Sequence, residues 1–258
     1  MIRLERVTRR YPDAARPALD DVSLSFAGGE FVFVTGASGA GKTTMLRLLY
    51  AAERPDDGDV LIEDRSIARL HPSSIPYLRR NLGVVFQDFK LLPRRTVFEN
   101  IALALEVCGQ PRNVIDHKVR RILGRVGLGG LEKRLPGSLS AGEQQRAAIA
   151  RALVNEPSIV LADEPTGNLD VNLSKEILDL LAEIAREKGA TVIVATHDMV
   201  QVAARAVREV RLADGKVAAD LPAEAAGPPV EPEDTDQSPA EPAADADEDD
   251  ATVREDAE

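Results

Sequence analysis

The chain has 258 residues, of which 44% are hydrophobic and 29% charged, enough to bury the core of one domain or of one domain with an insertion. A single cysteine, Cys108, excludes an internal disulfide, and neither a signal-like leader nor a run of eighteen apolar residues is present. The composition therefore predicts neither a disulfide-stabilised secreted domain nor a membrane-spanning chain.

The negative charge is concentrated at the carboxyl end. Residues 222–258 contain fourteen Asp or Glu and one Arg, a net charge of −13, so the formal total of −11 leaves +2 for residues 1–221. Because this segment is rich in Pro and Ala and has no aromatic residue, it is predicted to be a disordered acidic tail. Residues 1–221 are nearly neutral and lack the positive charge that binding to nucleic acid phosphates needs, so we expect no nucleic-acid partner.

The first third of the chain predicts short strands around one helix. Apolar residues alternate in residues 21–26, and the continuous apolar run 31–34 is typical of a strand covered on both faces. A glycine-rich loop and a helix over 42–52 follow, and then two further strands over 59–63 and 82–86.

From Asp88 to about Glu156 the pattern becomes helical, with Val97, Ile101 and Leu105 forming one apolar stripe. Alternating strands and helices then resume, with a strand over 158–163, a helix over 173–189, a strand over 191–196 and a hairpin over 207–217. The order predicts an α/β fold with a helical subdomain inserted at about 88–156, and we divide the chain into one domain, 1–221, and the tail, 222–258.

Residues 36–43, with the sequence GASGAGKT, match the phosphate-binding P-loop pattern between a predicted buried strand and a helix. Glycines allow successive backbone N–H groups to surround phosphate oxygens at the positive end of the helix. Lys42 can reach the β- and γ-phosphates of a nucleotide, and the Thr43 hydroxyl can bind Mg²⁺. This pattern predicts a nucleoside triphosphatase.

Two carboxylates follow the buried strand 158–163. Asp163 ends that strand, at the sheet edge where open α/β folds bind ligands, and is suited to hold Mg²⁺. Glu164 points elsewhere and is placed to polarise an attacking water. A second helix start lies upstream, where Ser140 is a predicted N-cap and Glu143 its capping-box partner.

The stretch LSAGEQQR, residues 139–146, resembles the signature of the ATP-binding cassette (ABC) ATPases. Further motifs agree in order and spacing: Gln87 resembles the family's Q-loop, NLD at 168–170 its D-loop, and His197 its switch histidine. Tyr11 follows the first strand, where the family stacks an aromatic ring on adenine. The resemblance covers about residues 1–217 and implies a P-loop NTPase core of mixed or parallel sheet, with an antiparallel β subdomain and the helical insertion.

The resemblance also implies roles. It makes Glu164 the catalytic base, His197 the γ-phosphate contact, and Gln87 a catalytic residue that surrounds Mg²⁺ together with Thr43 and Asp163. The residues that it implies for binding ATP are Tyr11, Gly36, Ser38, Gly39, Ala40, Gly41, Lys42, Thr43, Thr44, Ser140, Gly142, Glu143 and Asp170. Ala141 and Glu143 stand where many members have Gly and Gln.

The sequence of residues 79–109 and 160–170 is most similar to the FtsE group of cell-division ATPases. That similarity implies an integral membrane partner like FtsX, other divisome proteins, and a peripheral location on the cytoplasmic face of the plasma membrane. The implied output is activation of peptidoglycan hydrolases. Cassettes of lipoprotein-releasing or macrolide-efflux transporters share much of this wording and remain the alternative, while a soluble non-transport ABC ATPase fits less well.

In the family, two cassettes stack head to tail, and each signature closes over the other's ATP, so we expect a homodimer on ATP binding. A helix from Ala141 to about Asn155 rises by about 22 Å. We therefore expect Ser140 to lie remote from the strand that carries Asp163 and to serve the partner's ATP.

Overall fold

The computed structural model describes residues 1–167 and 169–223. Over these residues the strands are, in chain order, β1 (Ile2–Arg9), β2 (Leu19–Phe26), β3 (Phe31–Thr35), β4 (Asp57–Ile62), β5 (Arg65–Ser66), β6 (Leu82–Val85), β7 (Ile159–Asp163), β8 (Thr191–Thr196), β9 (Arg208–Ala213) and β10 (Lys216–Leu221). The α-helices are α1 (Lys42–Leu49), α2 (Ile75–Arg80), α3 (Val97–Val107), α4 (Arg112–Arg125), α5 (Ala141–Leu153), α6 (Val171–Lys188) and α7 (Met199–Ala203).

Six strands form the central sheet, in the order β10-β9-β3-β8-β7-β6. All of them run parallel except β10, which pairs with β9 in the antiparallel sense. Every residue of β8 is buried, as a continuous apolar run predicts for a strand covered on both faces. Because β3, β8 and β7 are neighbours, their last residues Thr35, Thr196 and Asp163 bring three carboxyl ends to one sheet edge.

A second, antiparallel sheet has the order β2-β1-β4-β5. On β2 the alternating residues Val22, Leu24 and Phe26 are buried, as their period of two predicts. They pack with Leu46 and Leu48 of α1 in one apolar core, so this sheet covers the helix that starts at the phosphate loop. The predicted antiparallel subdomain is confirmed.

The helices α3, α4 and α5 lie between β6 and β7 in the chain and form the predicted helical insertion. The stripe Val97, Ile101 and Leu105 is buried in a core shared with Val119 of α4 and Ala147 of α5. That core continues into the central sheet through Phe33 and Val192, so the insertion packs directly against the strand layer.

Two short helices, α2 and α7, are absent from the sequence prediction. Helix α2 has six residues, one of them a proline in the first turn, and α7 has five. Neither is long enough for the apolar stripe by which a helix is recognised. The predicted helix over 42–52 in turn ends at Leu49, because Ala51 takes a left-handed φ of 54°.

Some predictions fall on residues that the structure does not describe. Asn168 of the D-loop and residues 224–258 of the predicted tail lie outside the described residues. The domain boundary at residue 221 therefore stays a prediction, although β10 ends there. Among the residues that are described, no helix combines the length and the apolar character needed to cross a bilayer.

Candidate functional site

The phosphate loop joins β3 to α1, and its shape depends on two glycines. Gly36 has a φ of 144°, and a Cβ there would lie 2.3 Å from the carbonyl oxygen of Leu212. Gly41 has a φ of 108°, and its Cβ would lie 2.4 Å from the carbonyl oxygen of Ala18. Neither position admits a side chain, because a neighbouring backbone occupies the space.

Helix α1 begins directly at this loop. Its N-cap is Gly41, and among the described residues no side chain caps its first turn. The free backbone N–H groups of a first turn, together with the positive end of the helix dipole, favour an anion. Ser38 and Gly39 form the exposed tip of the loop, whereas the next residue, Ala40, is buried.

Lys42, the first residue of α1, is almost fully buried, with 5% of its surface exposed. Its Nζ donates to the carbonyl oxygens of Gly36 at 2.7 Å and of Ala37 at 3.1 Å. The same Nζ lies 3.9 Å from Oε1 of Glu164. The ammonium is therefore held inside the loop, next to the end of β7.

Asp163 at the end of β7 lies against the start of α1. Its Oδ1 accepts a hydrogen bond of 3.1 Å from Oγ1 of Thr43. Burial and the negative charge of Glu164 raise the pKa of Asp163 above its ordinary value, against the lowering effect of the Thr43 hydrogen bond and Lys42. Two oxygen ligands meet here, one of them a carboxylate whose burial a cation would offset, which fits Mg²⁺.

Glu164 turns away from Asp163 because its backbone is left-handed, with a φ of 45°. Its N–H donates to the carbonyl oxygen of Ala195 at 2.8 Å, which ties the turn to β8. Its Oε1 lies 3.1 Å from Nδ1 of His197, the residue after β8. Since a carboxylate only accepts hydrogen bonds, Nδ1 is the donor. The structure thus brings Lys42, Asp163, Glu164 and His197 together, as the sequence predicts.

Gln87 follows β6, and its side chain is exposed to solvent. Among the described residues, no side-chain hydrogen bond joins it to the phosphate loop, Asp163 or Glu164. The loop after it is strained, since Phe89 and Lys90 have φ values of 58° and 49°.

Two residues that sequence reasoning missed hold the loop after Gln87. Arg151 of α5 donates to the carbonyl oxygens of Phe89 at 2.7 Å and of Lys90 at 2.5 Å. The fully buried Asn100 of α3 accepts from the N–H of Leu92 and donates to the carbonyl oxygens of Leu92 and Arg95. The sequence offers one sign of this contact: Asn100 is a polar residue within an apolar helical pattern.

The signature begins α5 as predicted. Oγ of Ser140 accepts from the N–H of Glu143, and the Glu143 carboxylate accepts from the Ser140 N–H at 2.8 Å, which is a complete capping box. Gly142 is buried, and a Cβ there would lie 2.4 Å from Cδ2 of Leu173. Ser140 is exposed, and among the described residues no hydrogen bond or ion pair joins it or Glu143 to the phosphate loop.

The expected reason for that separation was wrong. The length of α5 does not by itself set the distance from its start to Asp163, because the chain reverses after the helix and β7 leads back toward the helix start. Gln145, in the first two turns of α5, donates from Nε2 to the carbonyl oxygen of Pro165, two residues after Asp163. The start of the signature helix therefore lies on the same side of the molecule as the end of β7.

Two more predicted residues have local partners. Asp170 caps α6, with its Oδ1 accepting from the N–H of Leu173 at 3.0 Å. The Tyr11 hydroxyl lies 3.3 Å from Oγ1 of Thr44 in α1, so its ring is beside the phosphate loop. Their predicted roles toward ATP stay predictions.

Comparison with known proteins agrees with this geometry. Residues 19–167 match the family described as ABC transporter. The chain is 50% identical over 220 residues to the cell division ATP-binding protein FtsE of Mycobacterium tuberculosis, covering 85% of this chain and 95% of that relative. It is 46% identical to the FtsE of Escherichia coli K12, covering 83% of this chain and 96% of that relative.

A solved structure has the same fold. The ATP-binding cassette MJ0796, in a dimeric post-hydrolysis state bound to ADP and Pi, superimposes with a TM-score of 0.80 at 35% identity, covering 86% of this chain and 99% of that one. Motifs, sheet order and relatives lead to one conclusion: the chain belongs to the ABC transporter family, as an ATPase cassette of its FtsE group.

Proposed function

We propose that this chain binds ATP with Mg²⁺ at the phosphate loop and that its hydrolysis drives a membrane partner in bacterial cell division. The observation that carries the first part is the convergence of Lys42, Thr43, Asp163, Glu164 and His197 at one sheet edge. The second part is supported by the 46–50% identity to proteins named FtsE over nearly their whole length.

Binding of the triphosphate is assigned to the phosphate loop and α1. The uncapped first turn of α1 offers its N–H groups, and the glycines at 36, 39 and 41 let the loop approach phosphate oxygens closely. Lys42 exchanges its carbonyl contacts with Gly36 and Ala37 for the β- and γ-phosphates. Tyr11 stacks on the adenine, and Ser38 and Thr44 add hydroxyl contacts.

Mg²⁺ would be held by the Thr43 hydroxyl and by Asp163, already 3.1 Å apart, with Gln87 completing the set. When bound, the ion supplies neutralisation of the charge that develops on the phosphates. Gln87 lies two residues after Val85, which pairs with Ala162 next to Asp163, so it belongs to the same sheet edge.

Glu164 orients and polarises the attacking water, which it can do because its left-handed turn separates it from Asp163. His197 donates from Nδ1 to Glu164 and so fixes the carboxylate. The Lys42 ammonium lies 3.9 Å from Oε1 of Glu164 on the side of the phosphate loop. His197 also contacts the γ-phosphate, once the exposed imidazole is covered.

The signature is assigned to the ATP of a second copy. The start of α5 presents the exposed Ser140, and among the described residues no hydrogen bond or ion pair joins it to its own phosphate loop. Asp170 lies next to it at the start of α6. A head-to-tail homodimer closes these groups over the nucleotide, and the dimeric state of the related cassette MJ0796 supports that arrangement.

The proposed contact to an FtsX-like membrane partner is the loop from Phe89 to Arg94. Leu92 and Arg94 are exposed on it, while Leu91 packs into the core of the helical insertion. This contact places the chain on the cytoplasmic face of the plasma membrane, where other divisome proteins also act. ATP-driven closure of the dimer moves the insertion and its loop, and the partner then activates peptidoglycan hydrolases outside the cell.

The first test is Glu164→Gln. Loss of the general base lowers ATP turnover by a factor of about 10² to 10⁴, while binding remains, so the variant should form a dimer with ATP in light scattering. Glu164→Gln combined with Lys42→Ala is the matched control and should stay monomeric. A monomeric Glu164→Gln protein with saturating ATP and Mg²⁺ would contradict the head-to-tail arrangement.

The second test concerns the membrane partner. The tagged chain should capture an integral membrane protein from detergent-solubilised membranes, and Leu92→Asp should abolish the capture without changing ATP binding. Cells without the gene should show defective septation or separation, most clearly at low osmolarity. Normal division would contradict the proposal, and capture of a lipoprotein-releasing or efflux protein would favour the alternative cassettes.

A further inference from the structure

Next to the phosphate loop, Glu53 is the centre of four hydrogen-bonded side chains, which we call the Glu53 cluster: Arg9, Tyr11, Arg47 and Glu53. The Tyr11 hydroxyl donates to Oε2 of Glu53 at 2.8 Å and lies 3.0 Å from its Oε1. Arg9 donates from Nε to Oε2 at 3.0 Å, and Arg47 lies 3.3 Å from Oε1. One carboxylate therefore joins β1, the loop after it and α1.

The cluster is tied to the phosphate loop through Tyr11. The Tyr11 hydroxyl has one hydrogen, which it donates to the Glu53 carboxylate at 2.8 Å. In the contact of 3.3 Å between the Tyr11 and Thr44 oxygens, Thr44 is then the donor. Arg47 lies four residues after Thr43 on α1, one turn further along the same helix face.

The Tyr11 ring is fixed at two points, its hydroxyl and one face. The Arg9 guanidinium lies over the ring, 5.2 Å from its centre. The ring also lines a surface hollow together with Arg9, Arg10 and Pro12. A flat group that enters the hollow meets a ring whose orientation is already set.

Glu53 keeps its charge in this position. Only 17% of its side-chain surface is exposed, and burial alone would raise its pKa. The hydrogen bonds from Tyr11, Arg9 and Arg47 outweigh burial and hold the pKa of Glu53 below its ordinary value. A permanently charged acceptor binds the phenol more tightly than a neutral one.

We propose that Glu53 is a positioning residue for the nucleotide base: by accepting the Tyr11 hydroxyl between Arg9 and Arg47, it orients the aromatic ring against which the base packs. The inference rests on the proposed contact of Tyr11 with adenine. If Glu53 only connected β1 to α1, its removal would weaken the binding of every ligand of the phosphate loop to the same extent.

The test compares MgATP with magnesium tripolyphosphate, which has the phosphates without the base, by titration calorimetry on the full chain. Glu53→Ala and Tyr11→Phe should each weaken ATP binding by about three- to tenfold, the cost of ordering a free side chain on binding. The tripolyphosphate affinity of Glu53→Ala should be the same as that of the parent protein. Because both changes remove the Tyr11–Glu53 hydrogen bond, the loss of ATP affinity in the double variant should be smaller than the sum of the two single losses. In turnover, the Glu53→Ala loss should appear in KM rather than in kcat.

Two control variants, Asp64→Asn and Tyr11→Ala, separate the possible failures. Asp64→Asn removes an ion pair with Arg3 from the same sheet, away from Tyr11, and should leave ATP affinity unchanged. If Tyr11→Ala weakens ATP binding but Glu53→Ala and Tyr11→Phe do not, the role of Glu53 is wrong while the base contact stands. If Tyr11→Ala itself has no effect, the base contact is wrong.

If Glu53→Ala lowers the affinity for ATP and for tripolyphosphate equally, Glu53 has only a structural role, and the inference is overturned. Should Glu53→Ala fail to fold, Glu53→Gln serves instead. Its amide oxygen can still accept the phenol hydrogen, but the neutral group loses the charge that Arg9 and Arg47 bind. It should weaken ATP binding less than Tyr11→Phe, and a larger loss than that of Tyr11→Phe would overturn the assignment.

Discussion

Replacement of Gly41 by alanine tests whether packing fixes the phosphate loop. The new Cβ would lie 2.4 Å from the carbonyl oxygen of Ala18 and 2.9 Å from Cδ2 of Leu19. The loop must move by about 0.6 Å to reach 3.0 Å, below which Cβ contacts essentially do not occur. Such overpacking costs about 1–3 kcal/mol. The left-handed backbone adds about 1–2 kcal/mol.

Gly39 is the matched control, since its φ is 78° but nothing lies within 4 Å of a Cβ built there. Gly39→Ala carries only the backbone cost of about 1–2 kcal/mol. At about 2–4 °C per kcal/mol for a domain of this size, calorimetry should give a Tm loss of roughly 10 °C for Gly41→Ala and roughly 4 °C for Gly39→Ala. ATP affinity should fall at least about tenfold for Gly41→Ala, since a shift of 1.4 kcal/mol suffices. Equal losses in both variants would refute the steric argument.

Two further changes test the carboxyl edge and the loop after β6. The raised pKa of Asp163 means that its ionised form is less stable in the folded chain, so the stabilisation present at low pH is lost as the pH rises from 3.8 through the raised pKa. Asp163→Asn should therefore raise the free energy of unfolding at pH 7 by about 1 kcal/mol. In calorimetry without nucleotide this should appear as a higher Tm, and the gain should shrink toward pH 4. Arg151→Ala removes two hydrogen bonds from a half-buried guanidinium and should cost about 2 kcal/mol of stability. Limited proteolysis should then cleave after Lys90 or Arg94 faster than in the parent chain, and unchanged cleavage would contradict the proposed anchoring.

The residues of the site that lie within short motifs were predictable from sequence, and those held by distant contacts were not. Lys42 and Thr43 follow from the loop pattern, and Asp163 from its place at a strand end. The Glu53 and Arg151 contacts join residues 42 and 62 positions apart, and no local pattern marks such pairs. Burial and partner identity come only with the fold.

The same distinction explains the one wrong argument. The capping box of Ser140 and Glu143 is local and is confirmed by its hydrogen bonds. The distance from Ser140 to Asp163 depends on where the chain returns after α5, which helix length alone cannot give. A rise of 1.5 Å per residue fixes the length of an element but not the direction in which the chain returns.

Helix α5 links ATP-dependent closure of the dimer to attachment of the membrane partner. Its first residues carry the signature, and its last turn, at Arg151, grips the loop proposed to meet the membrane partner. Two binding events that act on one rigid element are thermodynamically linked, and the linkage is reciprocal. If ATP-bound closure strengthens attachment to the partner by some factor, attachment must strengthen closure by the same factor. The membrane protein would then act as an effector of the cassette as much as its target.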